Sequence, residues 1–195
     1  MPLFSVTSLV AYRSGNSLFS PASFKLELGD CILLTAGNGV GKTTLLDCVA
    51  GLYYDWTGTI QRPEHRVSYF QQSSQYVRTL SISKLARLVV GFDETNYKKL
   101  LKSLVLEHKE HTLLAMLSGG ELQRARVLLA LLRRHLLLLL DEPFANVDSQ
   151  SSRAIANHIE STRWARATVI VSHPRDAHHI SIQGSSSYEL KRSRC

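Results

Sequence analysis

Ala36-Gly37-Asn38-Gly39-Val40-Gly41-Lys42-Thr43-Thr44 is the stretch from which the fold is read. The residues before it, Cys-Ile-Leu-Leu-Thr at 31–35, form a short apolar run suited to a buried strand. Those after it, Leu-Leu-Asp-Cys-Val-Ala at 45–50, suit the first turns of a helix. A strand, a glycine-rich turn and a Gly-Lys-Thr opening a helix make the context of a phosphate-binding loop. Glycines let successive backbone N–H groups curl inward, and a helix N-terminus adds partial positive charge, so such a loop cradles phosphates. Lys42 then reaches the outer phosphates as a point charge, and Thr43 offers its hydroxyl to Mg²⁺. The usual pattern begins with glycine where this chain has Ala36. Alanine is accommodated there only if its φ is negative. Taken alone, the stretch also fits an ordinary glycine-rich turn with a stray lysine.

Working outward, 195 residues suit a single domain with a real core. Hydrophobic residues make up 44% and charged residues 20%, an ordinary globular composition. The net charge of +7 permits an anionic partner, but the basic residues are scattered apart from Lys191-Arg192-Ser193-Arg194, so a solvated basic surface is the simpler reading. Cys31, Cys48 and Cys195 are an odd, unpatterned set that implies no disulfide framework and fits a reducing compartment. No signal peptide is read at the start. The most apolar region, residues 127–140, is cut by Arg133-Arg134-His135 and falls short of the roughly 18–20 residues of a membrane span.

Strand-like and helix-like segments alternate, which predicts an α/β fold with a parallel sheet. Residues 4–9 read as an edge strand and 23–28 as a second strand with period-two alternation. Residues 66–70 read as another, ending in Gln71-Gln72. The character changes over residues 73–117, which read as a small helical subdomain set into a core of 1–72 and 118–185. Residues 81–90 form a helix closed by Gly91. Asp93 caps a second helix whose apolar face is Tyr97, Leu100, Leu101, Leu104 and Val105. Residues 136–140 are five leucines, right for a central parallel strand. They run into Asp141-Glu142, and 167–172 form a further buried strand that delivers His173. A helix begins near Ser149, with Ile155, Ile159 and Trp164 as its apolar set, and the serine-rich, basic tail, 186–195 in its most basic part, reads as frayed.

A carboxylate pair at the end of a buried strand suits metal and water chemistry, because open α/β sheets place ligands at the carboxyl ends of their strands. These elements together resemble the nucleotide-binding subunit of ABC transporters over nearly the whole chain, with antiparallel β edge and helical subdomain included. Leu117-Ser118-Gly119-Gly120-Glu121 resembles the family's signature, and it precedes Asp141 at the family's spacing. The resemblance implies roles residue by residue. Tyr12 stacks on adenine, and Gln72 touches Mg²⁺ and the attacking water. Ser118, Gly119 and Gly120 grip ATP bound to the opposite subunit. Asp141 holds the Mg²⁺ shell, Glu142 polarises the water, Asp148 signals between the two sites, and His173 contacts the γ-phosphate. Glu121 stands where glutamine is commoner.

It further implies ATP and Mg²⁺ as ligands and a second ATPase subunit, a homodimer being the simplest form. A transmembrane permease and a place on the cytoplasmic side of the cell membrane follow, with no nucleic acid. The short interval between Lys42 and Gln72 and the Ser-Gly-Gly-Glu-x-Gln-Arg form of residues 118–124 are most similar to the zinc/manganese uptake branch. Asp141-Glu142-Pro143-Phe144 also resembles the haem exporter of cytochrome c biogenesis. A soluble ABC-type ATPase and a nucleotide kinase are the rivals from other classes; the first usually carries two such domains or a long coiled-coil arm, and the second leaves the signature and His173 unexplained.

Overall fold

A computed structural model describes residues 2–193 apart from 64–65, 72–77, 90, 134, 174–181 and 183–184. Nine strands and five α-helices follow in order among the described residues: β1 Phe4–Arg13, β2 Asn16–Ser17, β3 Ala22–Leu26, β4 Cys31–Thr35, α1 Lys42–Ala50, β5 Trp56–Gln61, β6 Val67–Phe70, α2 Ile82–Arg87, α3 Glu94–Ser103, α4 Gly119–Leu132, β7 Leu137–Asp141, α5 Ser149–Thr162, β8 Ala167–Ser172 and β9 Ser186–Glu189. Short 3-10 turns occupy Glu107–Lys109, Leu114–Met116 and Arg163–Ala165.

The strands form two sheets. One is parallel throughout, in the order β6-β7-β8-β4-β9; the other is antiparallel, with β1 flanked by β2, β3 and β5. Side chains alternate across a strand, and that alternation splits the core. Leu137, Leu139, Val169 and Val171 face α1 and the antiparallel sheet, whereas Leu138, Leu140, Ile170 and Phe70 face the layer of helices α2 to α5. Because both faces of β7 and β8 are covered, apolar residues occupy both faces of each, residues 137–140 in β7 and 169–171 in β8. Helix α1 lies between the sheets, touching β1 and β7.

Several expectations are corrected by pairing that sequence does not display. β1 is no edge: it runs to Arg13 and is hydrogen-bonded to three strands. Its register shifts at Ser8, which has φ of 51°, and Gly58 of β5 lies so close that a Cβ there would sit 2.5 Å from the Ser8 carbonyl oxygen. Helix α2 ends at Arg87, with Leu88 as its C-cap, ahead of Gly91. In α3, Tyr97, Leu100, Leu101 and Leu104 are buried, but Val105 leaves the helix with φ of 55° and is exposed, Leu106 taking the inward place. The Asp93 carboxylate caps α3 by accepting from the N–H groups of Thr95 and Asn96. Trp164 is 76% exposed and not a core residue. The serine-rich tail carries β9, which pairs in parallel with β4, and Phe19 bridges to Arg192. Backbone pairing needs no apolar side chain, so the tail's composition conceals it.

Candidate nucleotide site

Every strand of the parallel sheet runs the same way, so the residues that follow β7, β8 and β4, three neighbours, meet at one edge. There lie Asp141 and Glu142, His173, and residues 36–44. Ala36 is buried and is absent from the non-glycine residues with positive φ, so the alanine meets the condition its position sets. Gly41 is the glycine the loop cannot replace. Its φ is 102°, and an added Cβ would lie 3.0 Å from the Phe19 ring. Lys42 opens α1 directly behind it and is 7% exposed, its Nζ donating to the carbonyl oxygens of Ala36 at 2.9 Å and Gly37 at 3.1 Å. The ammonium is thus held at the loop by neutral acceptors that a phosphate oxygen can displace. Gly37, Asn38, Gly39, Val40 and Thr44 complete the loop; Val40 and Thr44 are buried, and Asn38 and Gly39 are exposed.

Thr43 Oγ1 donates to Asp141 Oδ2 at 2.7 Å, tying the loop to the end of β7. Asp141 is 1% exposed, and burial pushes its carboxyl up to about 6. A carboxylate so placed favours a cation beside it. Magnesium takes one or two protein oxygens and fills its octahedron with phosphate and water. Among the described residues no group of three His, Cys, Asp or Glu forms a metal cage, and the Thr43–Asp141 pair fits an ion carried in with nucleotide phosphates. Glu142 adopts φ of 51°, a left-handed conformation costing a non-glycine residue about 1–2 kcal/mol. It is fixed there by its N–H bonding to the Val171 carbonyl at 2.9 Å and by its own carbonyl accepting from Gln123 Nε2 at 3.2 Å.

The remaining candidates are dispersed. Tyr12 lies on β1, its hydroxyl 3.3 Å from Thr57 Oγ1; directly after β2, Leu18 and Phe19 pack over Gly41. His173 directly follows β8 and is half-buried. Gln72 lies outside the described residues; Gln71 before it donates to Asp47 Oδ1 on α1 at 3.2 Å. Ser118 is the N-cap of α4. Its Oγ accepts from the Glu121 N–H, and Glu121 Oε2 accepts from the Ser118 N–H at 2.9 Å, a complete capping box. Those bonds, led by the backbone N–H of Ser118, hold the Glu121 carboxyl below its usual range. Glutamate in this position therefore has a local reason. Gly119 and Gly120 form the first turn, and a Cβ on Gly120 would lie 3.4 Å from the Asn146 carbonyl oxygen. Asp148 caps α5 through Ser151 and pairs with Arg124 at 3.1 Å.

Sequence reasoning missed Gln123 and Arg124, which join the first turn of α4 to Glu142 and Asp148. They follow the Ser-Gly-Gly turn by one helical turn, but that this face of α4 meets residues 142–148 is set by packing and not displayed in the sequence.

The phosphate loop at the carboxyl edge of a parallel sheet, with a threonine-bonded aspartate beside it, defines a P-loop nucleotide-binding domain. The sequence pattern of the ABC transporter family matches residues 19–145. The "Zinc import ATP-binding protein ZnuC" of Photobacterium profundum is 33% identical over 184 residues, covering 90% of this chain and 72% of that protein. The protein of the same name from Pseudomonas fluorescens strain Pf-5 is 34% identical over 170 residues, covering 86% and 65%. An ATP-binding subunit of an ABC transporter superposes with a TM-score of 0.82 at 20% identity, covering 97% of this chain and 86% of that one. A second ATP-binding cassette gives 0.75 at 18%, covering 97% and 88%. The chain belongs to the ABC transporter family of ATP-binding, ATP-hydrolysing domains.

Proposed function

We propose that this chain powers a membrane transporter by closing as a dimer on ATP and opening on hydrolysis, with a divalent metal such as zinc as the cargo. The observation that carries the reading is the division of labour within the chain. The phosphate loop opens α1, whose partners are β1 and β7, whereas the capped Ser118-Gly119-Gly120 turn opens α4, whose partners are α2, α3, β6 and α5. A helix N-terminus without a nucleotide of its own suits the ATP of a second copy.

In this mechanism Lys42 exchanges its two carbonyl acceptors for phosphate oxygens, and Tyr12 lies against the base. Thr43 and Asp141 would hold Mg²⁺, which supplies positive charge to the phosphate oxygens. Glu142, held in its strained conformation, orients the attacking water; Gln72 would contact Mg²⁺ and that water, and His173 the γ-phosphate. Phosphoryl transfer depends chiefly on such positioning and charge stabilisation. Asp148, tied to Arg124 on α4, relays closure from one site to the other. A separate permease makes the membrane crossing in this reading, with this chain docked at its cytoplasmic face; no helix among the described residues is long and apolar enough to cross a membrane. Zinc as cargo rests on the names of the relatives above.

Glu142→Gln in Mg-ATP is expected to sediment as a dimer and to turn over slowly. A monomer under those conditions overturns ATP-driven dimerisation. For the cargo, radiolabelled zinc uptake by cells carrying Lys42→Ala is expected to fall to the level of cells lacking the chain; undiminished zinc and manganese uptake would exclude both metals and leave haem export as the next candidate.

A further inference from the structure

Opposite the nucleotide edge, the residues that lead into β6, β7 and β8 also converge. Arg66 precedes β6, His135 and Leu136 precede β7, and Arg166 precedes β8, joined by backbone bonds from Leu136 N–H to the Arg66 carbonyl and from Ala167 N–H to the Leu136 carbonyl. These residues line a cavity of about 670 Å³, together with Arg133, His158 and Trp164. Arg166 forms its floor and is 5% exposed. Among the described residues its guanidinium hydrogen-bonds only neutral groups, His135 Nε2 at 2.9 Å and the Thr162 hydroxyl. No carboxylate among the described residues pairs with it. Asp93, also in the lining, is engaged in capping α3. His158 is 8% exposed, and its buried Nε2 has no hydrogen-bond partner among the described residues.

A buried charge without a counterion is costly, and a guanidinium presents its donors in a planar fork that matches oxyanions. From this arrangement we propose that the cavity is a binding site for a small-molecule oxyanion, a phosphate or a carboxylate, held by Arg166 with His158 and received at the rim by Arg66 and Arg133. The electrostatics agree. Burial and then the Arg166 charge push His135 down to about 3 and His158 down to about 4, the remaining charged neighbours acting on them being Arg133 and Lys99. Each of those neighbours is positive. The site is separated from the phosphate loop by the length of the strands, so a ligand here can occupy protein already loaded with nucleotide.

The experiment is calorimetric titration of inorganic phosphate and, separately, citrate into the full chain saturated with Mg²⁺ and a non-hydrolysable ATP analogue, which fills the phosphate loop, at constant ionic strength. One-site saturable binding of either anion is expected, and the anion that binds tells phosphate from carboxylate. Arg166→Gln should weaken it by at least about tenfold. Should that variant fail to fold, Arg66→Gln/Arg133→Gln, altered only at exposed rim positions, should weaken it severalfold, and the His135 and His158 ring resonances of the unaltered chain should shift on titration. Absence of saturable binding by both anions, or affinity unchanged in the folded variants, overturns the site.

Discussion

Among the described residues Lys42 donates only to carbonyl oxygens and forms no close salt bridge, although its charge also acts on Asp141. Lys42→Ala should therefore fold normally while losing about a hundredfold or more in affinity for ATP, the scale of a charge-assisted phosphate contact; titration with a fluorescent ATP analogue reads the loss. Gly41 makes the opposite prediction. Gly41→Ala meets both the Phe19 ring and a φ of 102°, and should lower stability by about 1–3 kcal/mol, visible as a lower urea midpoint before any nucleotide is added. Gln123→Ala separates positioning from binding. It removes the donor to the Glu142 carbonyl, so kcat should drop while KM for ATP changes little. At this scale the residues around the loop were readable because their chemistry is local to a short motif. Ala36 was the doubtful position, and its negative φ resolves it. The 142–148 partners were not readable, because Gln123 and Glu142 meet only after a helix and a strand have packed.

At the scale of elements, the phosphate-loop strand, the five-leucine strand and the buried strand before His173 were legible because burial on both faces writes itself into composition. Edge and centre were not. β1 looks like an edge strand from its own residues, and only its pairing with β2, β3 and β5 places it in the middle. The end of α3 was overrun because Val105 continues the apolar period, while the chain has already turned left-handed there. Helix α4 supports a direct test. Glu121→Gln retains a side chain able to accept from the Ser118 N–H and should leave stability nearly unchanged, whereas Glu121→Ala opens the capping box at a cost of about 0.5–1 kcal/mol, measured by chemical denaturation.

For the whole molecule, the two faces of the parallel sheet and its two ends have different characters. Its carboxyl edge carries the carboxylates and the phosphate loop, and its amino edge gathers buried basic groups. Folded His135 and His158 titrate well below the 6.5 of the unfolded chain. Between those values the unfolded state binds protons that the folded state refuses, so stability is fully present above about pH 6.5 and falls as the pH drops toward 4, with a slope of up to about 1.4 kcal/mol per pH unit for each histidine. Urea midpoints across that window should show the decline, and His158→Gln should flatten part of it.

The seat of the phosphate-loop strand has one more consequence. Both neighbours of β4, the strands β8 and β9, come from far later in the chain than β4 itself. The polypeptide must therefore be synthesised through β9 before the nucleotide cradle has walls on either side. Chains that stop before β9 should neither capture ATP nor resist proteolysis, and competence should arrive abruptly once residues 186–189 are free to pair with β4.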